Sequence, residues 1–450
     1  MTSSRPIIIL SLAVSLILSA IQPLSAREPQ KAPKSTPRSE FFSYETREDA
    51  AAGRIINSQY FKSIRNRTDE NGVCQTTYFT PYAMGDRNVF FRCDGGAGAY
   101  ELFVNDRLAG GSSDTQTPSE VYISPYLVDG LNQIRIEARE PGEALAVESM
   151  YEEPMLVMGG NSFFISQPKV YIEDFDICTT PDSTGNHGLL DLHIVVRNTS
   201  RADQHLAVGF DIYDPKGKLK TYDIRELDMT PGERDTLRFH HIVYSTAKYL
   251  WSAETPNIYA LTMFIKQHGS VTEYIPFDIG WGTTSYENGT LYRNGKPVEI
   301  RAVEFTPKYN IPIEEQVKAL KRKGYNTIYL TMPAQIALYR ACDRVGMYIV
   351  DSPTLFANAM SGDRSRKGTA FNNPALLNEV LSRTLAMQRR TRNHSCIVAW
   401  SLARGGGNGY NLYKSYELLH QLDTIRPVVY RGAEGEWNSD LDLPAPEILK

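Results

Sequence analysis

After about Tyr292 the hydrophobic period of this chain changes, and the change limits what the chain can fold into. Before it, apolar residues alternate in short runs; after it, short apolar runs alternate with stretches of helical spacing. A strand near residues 298–305 precedes a helical stretch over 313–324, where Ile313, Val317 and Leu320 share one face. Glu314 and Glu315 fall in its first turn and Lys321, Arg322 and Lys323 in its last, the polarity that a helix dipole favours. Strands over 326–331, 347–351, 396–402 and 427–432 then alternate with helices over 336–346, 374–392 and 411–422. Repeated βα units imply parallel strands, and in series a (β/α) barrel of TIM type. A complete barrel takes about 250 residues. Residues 287–450 are therefore expected to form an incomplete barrel of about five strands.

The preceding chain reads as two β regions. "VFFRC" (89–93), "YELFVND" (100–106) and "QIRIEA" (133–138) alternate between Gly, Asp, Ser and Pro clusters, which predicts a β-sandwich over 41–160. "KVYIEDFDI", "LLDLHIVVRN", "LAVGFDIYD", "NIYALTMFI" and "EYIPFDIG" follow between 169 and 280. About seven such strands fit one immunoglobulin-like sandwich, expected over 163–283.

Arg5 precedes an apolar run over 7–18, and Leu24-Ser25-Ala26 supplies small residues at a cleavage point. This is the pattern of a signal peptide over 1–26; an uncleaved anchor is the competing reading, and the run is short for a membrane span. The expectation is an exported protein, periplasmic or extracellular, with no membrane span after cleavage. Pro and basic residues without periodicity make 27–40 a predicted linker. A net charge of −4 without a basic stripe argues against a nucleic-acid partner. The five cysteines show no spacing suited to zinc, and neither a metal nor a cofactor is expected. Cys74 and Cys93, in one predicted β region, are either a disulfide or two buried thiols.

Several words carry a resemblance. "AYELFVNDRLAGGSSDTQTPSEVYISPYLVDGLNQIRIEA" (99–138), "YLWSAETPNIYALTMFI" (249–265), "ENGTLYRNGKPVEIRAVEF" (287–305), "YRACDRVGMYIVD" (339–351), "RNHSCIVAWSL" (392–402) and "DTIRPVVYRG" (423–432) are similar, in this order, to glycoside hydrolase family 2. The resemblance implies a sugar-binding-type, jelly-roll-like sandwich, an immunoglobulin-like sandwich and a barrel. It also implies hydrolysis of β-glycosides by two glutamates about 5 Å apart, an acid/base and a nucleophile.

Carried over position by position, that chemistry is missing. The family's strand-four word ends Trp-Ser-Leu-Gly-Asn-Glu, with the Glu as acid/base; here the places hold Trp400, Ser401, Leu402, Ala403, Arg404 and Gly405. Glycine has no proton to give, and an arginine stays protonated. The first-strand word is replaced by Ala302-Val303-Glu304-Phe305-Thr306, and the Arg and His of the second give way to residues 326–332. The nucleophile's strand lies beyond residue 450. Other carboxylates expected on the same rim are Glu304, Glu434 and Glu436; the competing reading pairs Glu304 with an arginine and leaves the other two in a solvated loop. Trp400, Arg404 and Tyr329 are candidate sugar contacts, with a buried core tryptophan and an ion-paired arginine as the alternatives. His394 is expected to be packed. Gly405-Gly406-Gly407 lacks the Lys-Ser/Thr of a phosphate loop and reads as a lid or a collapsed loop.

Two functions follow: a non-catalytic carbohydrate-binding or scaffold protein, or a glycosidase whose carboxylates are relocated or supplied by a partner. Open sheet edges on a half barrel call for a protein partner or second copy to cover them. Mass spectrometry of the mature protein from the exporting cell is expected to find a new N-terminus at Arg27; a retained Met1 would overturn the leader.

Overall fold

The structure, a computed structural model, describes residues 37–55, 61–64, 73–80, 87–94, 98–138, 146–148, 162–308, 310–357, 365 and 367–448. The predicted leader and most of the predicted linker lie outside the described residues.

A short helix α1 (Arg47–Ala52), capped by Thr46, precedes the first sandwich. Its strands are β1 (Phe61–Ser63), β2 (Val73–Thr80), β3 (Arg87–Cys93), β4 (Tyr100–Val104), β5 (Arg107–Ser112), β6 (Ser119–Tyr122), β7 (Gly130–Ala138) and β8 (Ser162–Pro168). They form two four-stranded sheets, in the orders β1-β8-β3-β6 and β2-β7-β4-β5. Tyr100, Leu102 and Val104 point inward at period two and meet Phe91, Ile136 and Phe164 in the core. Asn105 and Asp106, both in the left-handed region at φ 49 and 59, make the tight β4–β5 hairpin.

β8 corrects the expected boundary. Residues 163–168 belong to the first sandwich, where β8 pairs with both β1 and β3. The second begins at β9 (Val170–Pro181), with only Lys169 between them. Only Pro168 and the bend at Lys169 mark the crossing, so in sequence the two strands nearly run together.

The second sandwich sets the sheet β13-β10-β9 against β12-β11-β14-β15, three strands on four. Its further strands are β10 (Gly188–Asn198), β11 (Gln204–Tyr213), β12 (Leu219–Met229), β13 (Arg234–Val243), β14 (Tyr259–Gln267) and β15 (Ser270–Ile279). Strict alternation in β10 buries Leu190, Leu192, Ile194 and Val196. A small meander follows, of β16 (Thr284–Glu287), β17 (Thr290–Arg293) and β18 (Lys296–Pro297), turning at Asn288-Gly289 and Asn294-Gly295. All five cysteines are thiols.

The βα segment contains β19 (Ala302–Glu304), α2 (Ile313–Arg322), β20 (Thr327–Tyr329), α3 (Ile336–Val345), β21 (Tyr348–Asp351), β22 (Phe356–Ala357), α4 (Leu377–Thr391), β23 (Ile397–Ser401), β24 (Arg404–Gly405), α5 (Tyr410–Leu422), β25 (Val428–Val429) and β26 (Glu447–Ile448). The parallel order is β25-β23-β21-β20-β19-β26, an incomplete barrel sheet in which β20, β21, β23 and β25 are wholly buried, as helices on its outer face require, while β26 at the edge is exposed. The expected bare edges are not found. Leu441 bridges to Val429 on the outer side of β25, and Glu447 and Ile448 pair with Val303 and Glu304 on the outer side of β19. One segment thus spans both edges, with Leu441 and Leu443 buried beneath it.

The end of the predicted linker is also corrected, because residues 38–40 are packed and fully hydrogen-bonded. Ser39 N donates to Asp174 Oδ1 and Ser39 Oγ to Phe175 O, both at 2.9 Å, while Asn393 Nδ2 donates to Ser39 Oγ. Glu40 is ion-paired to Arg92 of β3 and, at 3.0 Å, to Arg390 of α4. Basic and proline-rich composition hid these contacts, since it says nothing of a buried counter-charge elsewhere in the chain.

Burial pushes the Glu40 carboxyl up, but the guanidiniums of Arg92 and Arg390 outweigh it, and the group titrates below its ordinary 4.5. The stability it contributes is complete above pH 4.5 and is lost as pH falls through the lowered folded value. Glu40→Gln, which leaves two buried guanidiniums short of charge, is expected to cost about 3 kcal/mol. Urea unfolding between pH 3 and 7, on the order of one pH step per titration, should show the acid-side loss in the wild type and less of it in the variant.

Candidate functional site

Parallel strands deliver their last residues to one rim, the face where barrels keep ligands. Here β19 brings Glu304, β20 Tyr329, β21 Asp351 and Ser352, and β23 Ser401 and the loop to Gly405. Arg404 Nη2 donates to Glu304 Oε2 at 3.0 Å, and the guanidinium lies over the Phe356 ring, 5.6 Å from its centre. The pair is partly open to solvent, with Arg404 37% and Glu304 21% exposed. Tyr329 Oη donates to Ser401 Oγ at 3.2 Å. Burial pushes the Tyr329 hydroxyl up, while Ser401 and the charge of Arg431 pull it back. Asp351 is wholly buried and accepts from Tyr339, Thr391 and its own neighbour's amide, so it supports the rim from below.

The glycine loop is tied down. Gly405, Gly406 and Gly407 lie in the left-handed region at φ 67, 85 and 70. β24 pairs with β22, Arg404 N donates to Leu355 O at 2.9 Å, and Tyr430 Oη donates to the carbonyls of Gly405 and Gly407. A Cβ on Gly406 would stand 2.3 Å from the Phe371 ring. Of the two expected forms, lid or collapsed loop, this is the collapsed one: its carbonyls are consumed by Tyr430.

The structure therefore brings together Glu304, Arg404, Tyr329 and Ser401, and separates the other candidates from them. Trp400 is corrected as a sugar platform. It is fully buried, its Nε1 donates to Asp423 Oδ2 at 2.8 Å, and the Arg426 guanidinium covers its face at 4.8 Å. Tyr329 is corrected likewise as a sugar contact, since its ring is buried among the strands. Glu434 is exposed at φ 51, and Glu436 accepts from Tyr413 Oη at 2.5 Å and Asn408 Nδ2 at 3.2 Å, which ties it to α5 and the loop before it. His394 is buried against Asp343, with Nδ1 at 2.6 Å from Oδ2. Among the described residues no group of His, Cys, Asp or Glu is arranged to hold a metal ion, and no helix is long and apolar enough to cross a membrane.

Chemically, a guanidinium locked to a carboxylate is an amphoteric hydrogen-bonding unit, able to accept from one sugar hydroxyl and donate to another. The half-exposed pair contributes little to folding, so Arg404→Ala is expected to change stability by less than about 1 kcal/mol. Gly406→Ala, with a strained φ and a clash on Phe371, is expected to cost about 2 kcal/mol or more. Thermal unfolding of the two variants checks the contrast.

Comparison with known proteins gives the arrangement its context. The family description "Glycosyl hydrolases family 2" matches residues 170–281, and "Glycosyl hydrolases family 2, TIM barrel domain" matches residues 311–444. The β-galactosidase of Pectobacterium atrosepticum is 27% identical over 410 residues, covering 82% of this chain and 37% of that protein. That of Priestia megaterium is 26% identical over 370 residues, covering 79% and 36%. The chain thus spans little more than a third of the length of the curated relatives it matches. Among solved structures, a Bacteroides uniformis β-glucuronidase superposes with a TM-score of 0.67 at 16% identity, covering 82% of this chain and 46% of that one. A Bacteroides cellulosilyticus family 2 member does so with a TM-score of 0.64 at 19% identity, covering 80% and 47%. With two descriptions of one family matched in chain order across both the second sandwich and the barrel, this chain belongs to glycoside hydrolase family 2.

Proposed function

We propose that this chain binds carbohydrate at its barrel rim without hydrolysing it. The observation that carries the reading is the Arg404–Glu304 pair. By the family resemblance the acid/base belongs at Gly405, and the residue before it holds the rim's Glu304 in an ion pair. The relatives named as β-galactosidases and a β-glucuronidase suggest β-linked hexosides or hexuronides as the ligand class. Arg404 and Glu304 would bind ring hydroxyls, with Ser401 behind them.

A panel of aryl β-galactosides and β-glucuronides, run beside calorimetric titration with the corresponding oligosaccharides, tests this. The expected result is saturable binding without turnover, weakened about tenfold in Arg404→Ala. Turnover that disappears in Glu304→Gln would overturn it. The second reading, a glycosidase with relocated or partner-supplied carboxylates, is favoured by the names of the relatives and by the third of their length that the chain spans. Any turnover would select it, with loss in Glu304→Gln marking Glu304 as a relocated carboxylate and survival pointing to carboxylates elsewhere.

Export belongs to the same proposal, on the strength of the N-terminal pattern alone. So does a protein partner or second copy at the barrel, which would meet the segment over 441–448 rather than a bare strand edge. Sedimentation of the purified protein as a monomer at all concentrations would remove the second copy.

A further inference from the structure

The loop after β25 carries Trp437, which is 56% exposed. The other three of the chain's four tryptophans, Trp251, Trp281 and Trp400, are fully buried. A large aromatic left in water is costly unless something covers it.

This one is held in place. Trp437 lies 5.2 Å from the Tyr413 ring at 33° and meets the Tyr416 ring edge-on, 5.3 Å away at 88°. Both tyrosines are on α5, one turn apart on the same face. Tyr410, one turn before Tyr413, is 41% exposed and extends that face. Polar contacts fix the loop from beneath. Glu436 binds Tyr413 and Asn408, and the side-chain amides of Asn408 and Asn438, both buried, bond each other reciprocally at 2.8 and 2.9 Å. Glu434 at φ 51 and Gly435 at φ 86 turn the chain so that Glu436 and Trp437 meet α5, and a non-glycine residue held there is a strained position.

The charge around the ring is acidic. Glu434 is exposed, Glu436 adjoins the ring, and Asp440 binds Tyr416 at 2.6 Å and His420 at 3.0 Å. Two cations stand nearby: Lys414 pairs with Glu417 at 2.7 Å and lies over the Tyr410 ring, 5.8 Å from its centre, and Arg431 is exposed; the carboxylates outnumber them. A rigid ring flanked by carboxylate and amide groups suits a ligand with one C–H face and a fringe of hydroxyls, and acidic surroundings disfavour an anionic one.

We propose that Trp437, with Tyr413, Tyr410 and Glu436, forms a second carbohydrate site for neutral pyranosides, outside the Arg404–Glu304 centre. The proposal rests on the reading of this chain as a carbohydrate binder, but not on that centre.

Because its three fellow tryptophans are buried, Trp437 is its own reporter. Acrylamide quenching of the full chain's tryptophan emission would be measured with a β-1,4-linked glucose tetramer, a β-1,4-linked galactose tetramer and a 1,4-linked galacturonate tetramer. Saturable protection by a neutral tetramer and none by galacturonate is expected. In calorimetric titration, affinity for that tetramer should fall about tenfold or more in Trp437→Ala and be largely restored in Trp437→Phe, with both variants unfolding at the wild-type temperature.

Quenching unchanged by every sugar at millimolar concentration overturns the proposal, as does equal protection by galacturonate. Protection that rises with protein concentration alone overturns it in favour of a second copy on the ring. Binding lost in Arg404→Ala and intact in Trp437→Ala leaves the rim reading standing and removes this one. The opposite pattern removes the rim centre and keeps Trp437.

Discussion

The fold turns on one buried carboxylate. Glu40 arrives from the N-terminal segment and meets an arginine from the first sandwich and another from a barrel helix, all three withdrawn from water. Removing such charges from solvent costs several kcal/mol per ion, and only close, multiple contacts offset it. These contacts are present: Arg390 also donates to Ala334 O at 2.8 Å and to Tyr339 Oη at 3.1 Å. Beside it, Ser39, Asp174, Arg392 and Asn393 bind the second sandwich to the same helix end. A three-way charge junction tolerates few alternatives, because any other docking leaves a guanidinium buried alone.

From that junction the bonds run on to the rim. Arg390 holds Tyr339, Tyr339 donates to Asp351 at 2.8 Å, and Asp351 ends the third barrel strand. A second buried pair, Glu148 with Arg383 of α4, joins the first sandwich to the barrel from another side, and Glu148 itself bridges in parallel to Phe356. Phe356 is the ring under Arg404. Burial pushes the Glu148 carboxyl up to about 7, against the pull of Arg383. The sandwiches therefore frame the site as well as accompany it.

Much of this was legible in the sequence wherever a periodic signal existed. The helix over 313–322 declared itself through Ile313, Val317 and Leu320 at helical spacing. Signals failed where the deciding partner was distant. Ser39 and Glu40 read as linker because their partners lie more than a hundred residues away or on another domain. β8 hides its allegiance because only Pro168 and Lys169 separate its apolar run from that of β9. Trp400 offered aromatic character, but only the fold shows Arg426 and Asp423 closing over it. Trp437 is silent in the sequence because residue type does not distinguish an open ring from a buried one. At the rim, residue types alone left Glu304 between a catalytic and a paired role; the parallel return of β23 beside β21, with β24 paired to β22, put Arg404 within reach.

The tethered glycine loop also bears on how this lineage can change. At Gly405 the backbone sits at φ 67, a region where a side chain adds of order 1 kcal/mol of strain. The carbonyl is held by Tyr430, and the next residue has no room for a Cβ. Any side chain placed at Gly405 would have to take up that left-handed conformation while Arg404 stays closed on Glu304. A substitution there therefore disturbs the loop, its tyrosine anchor and the ion pair together, and the three can only be redesigned as one unit.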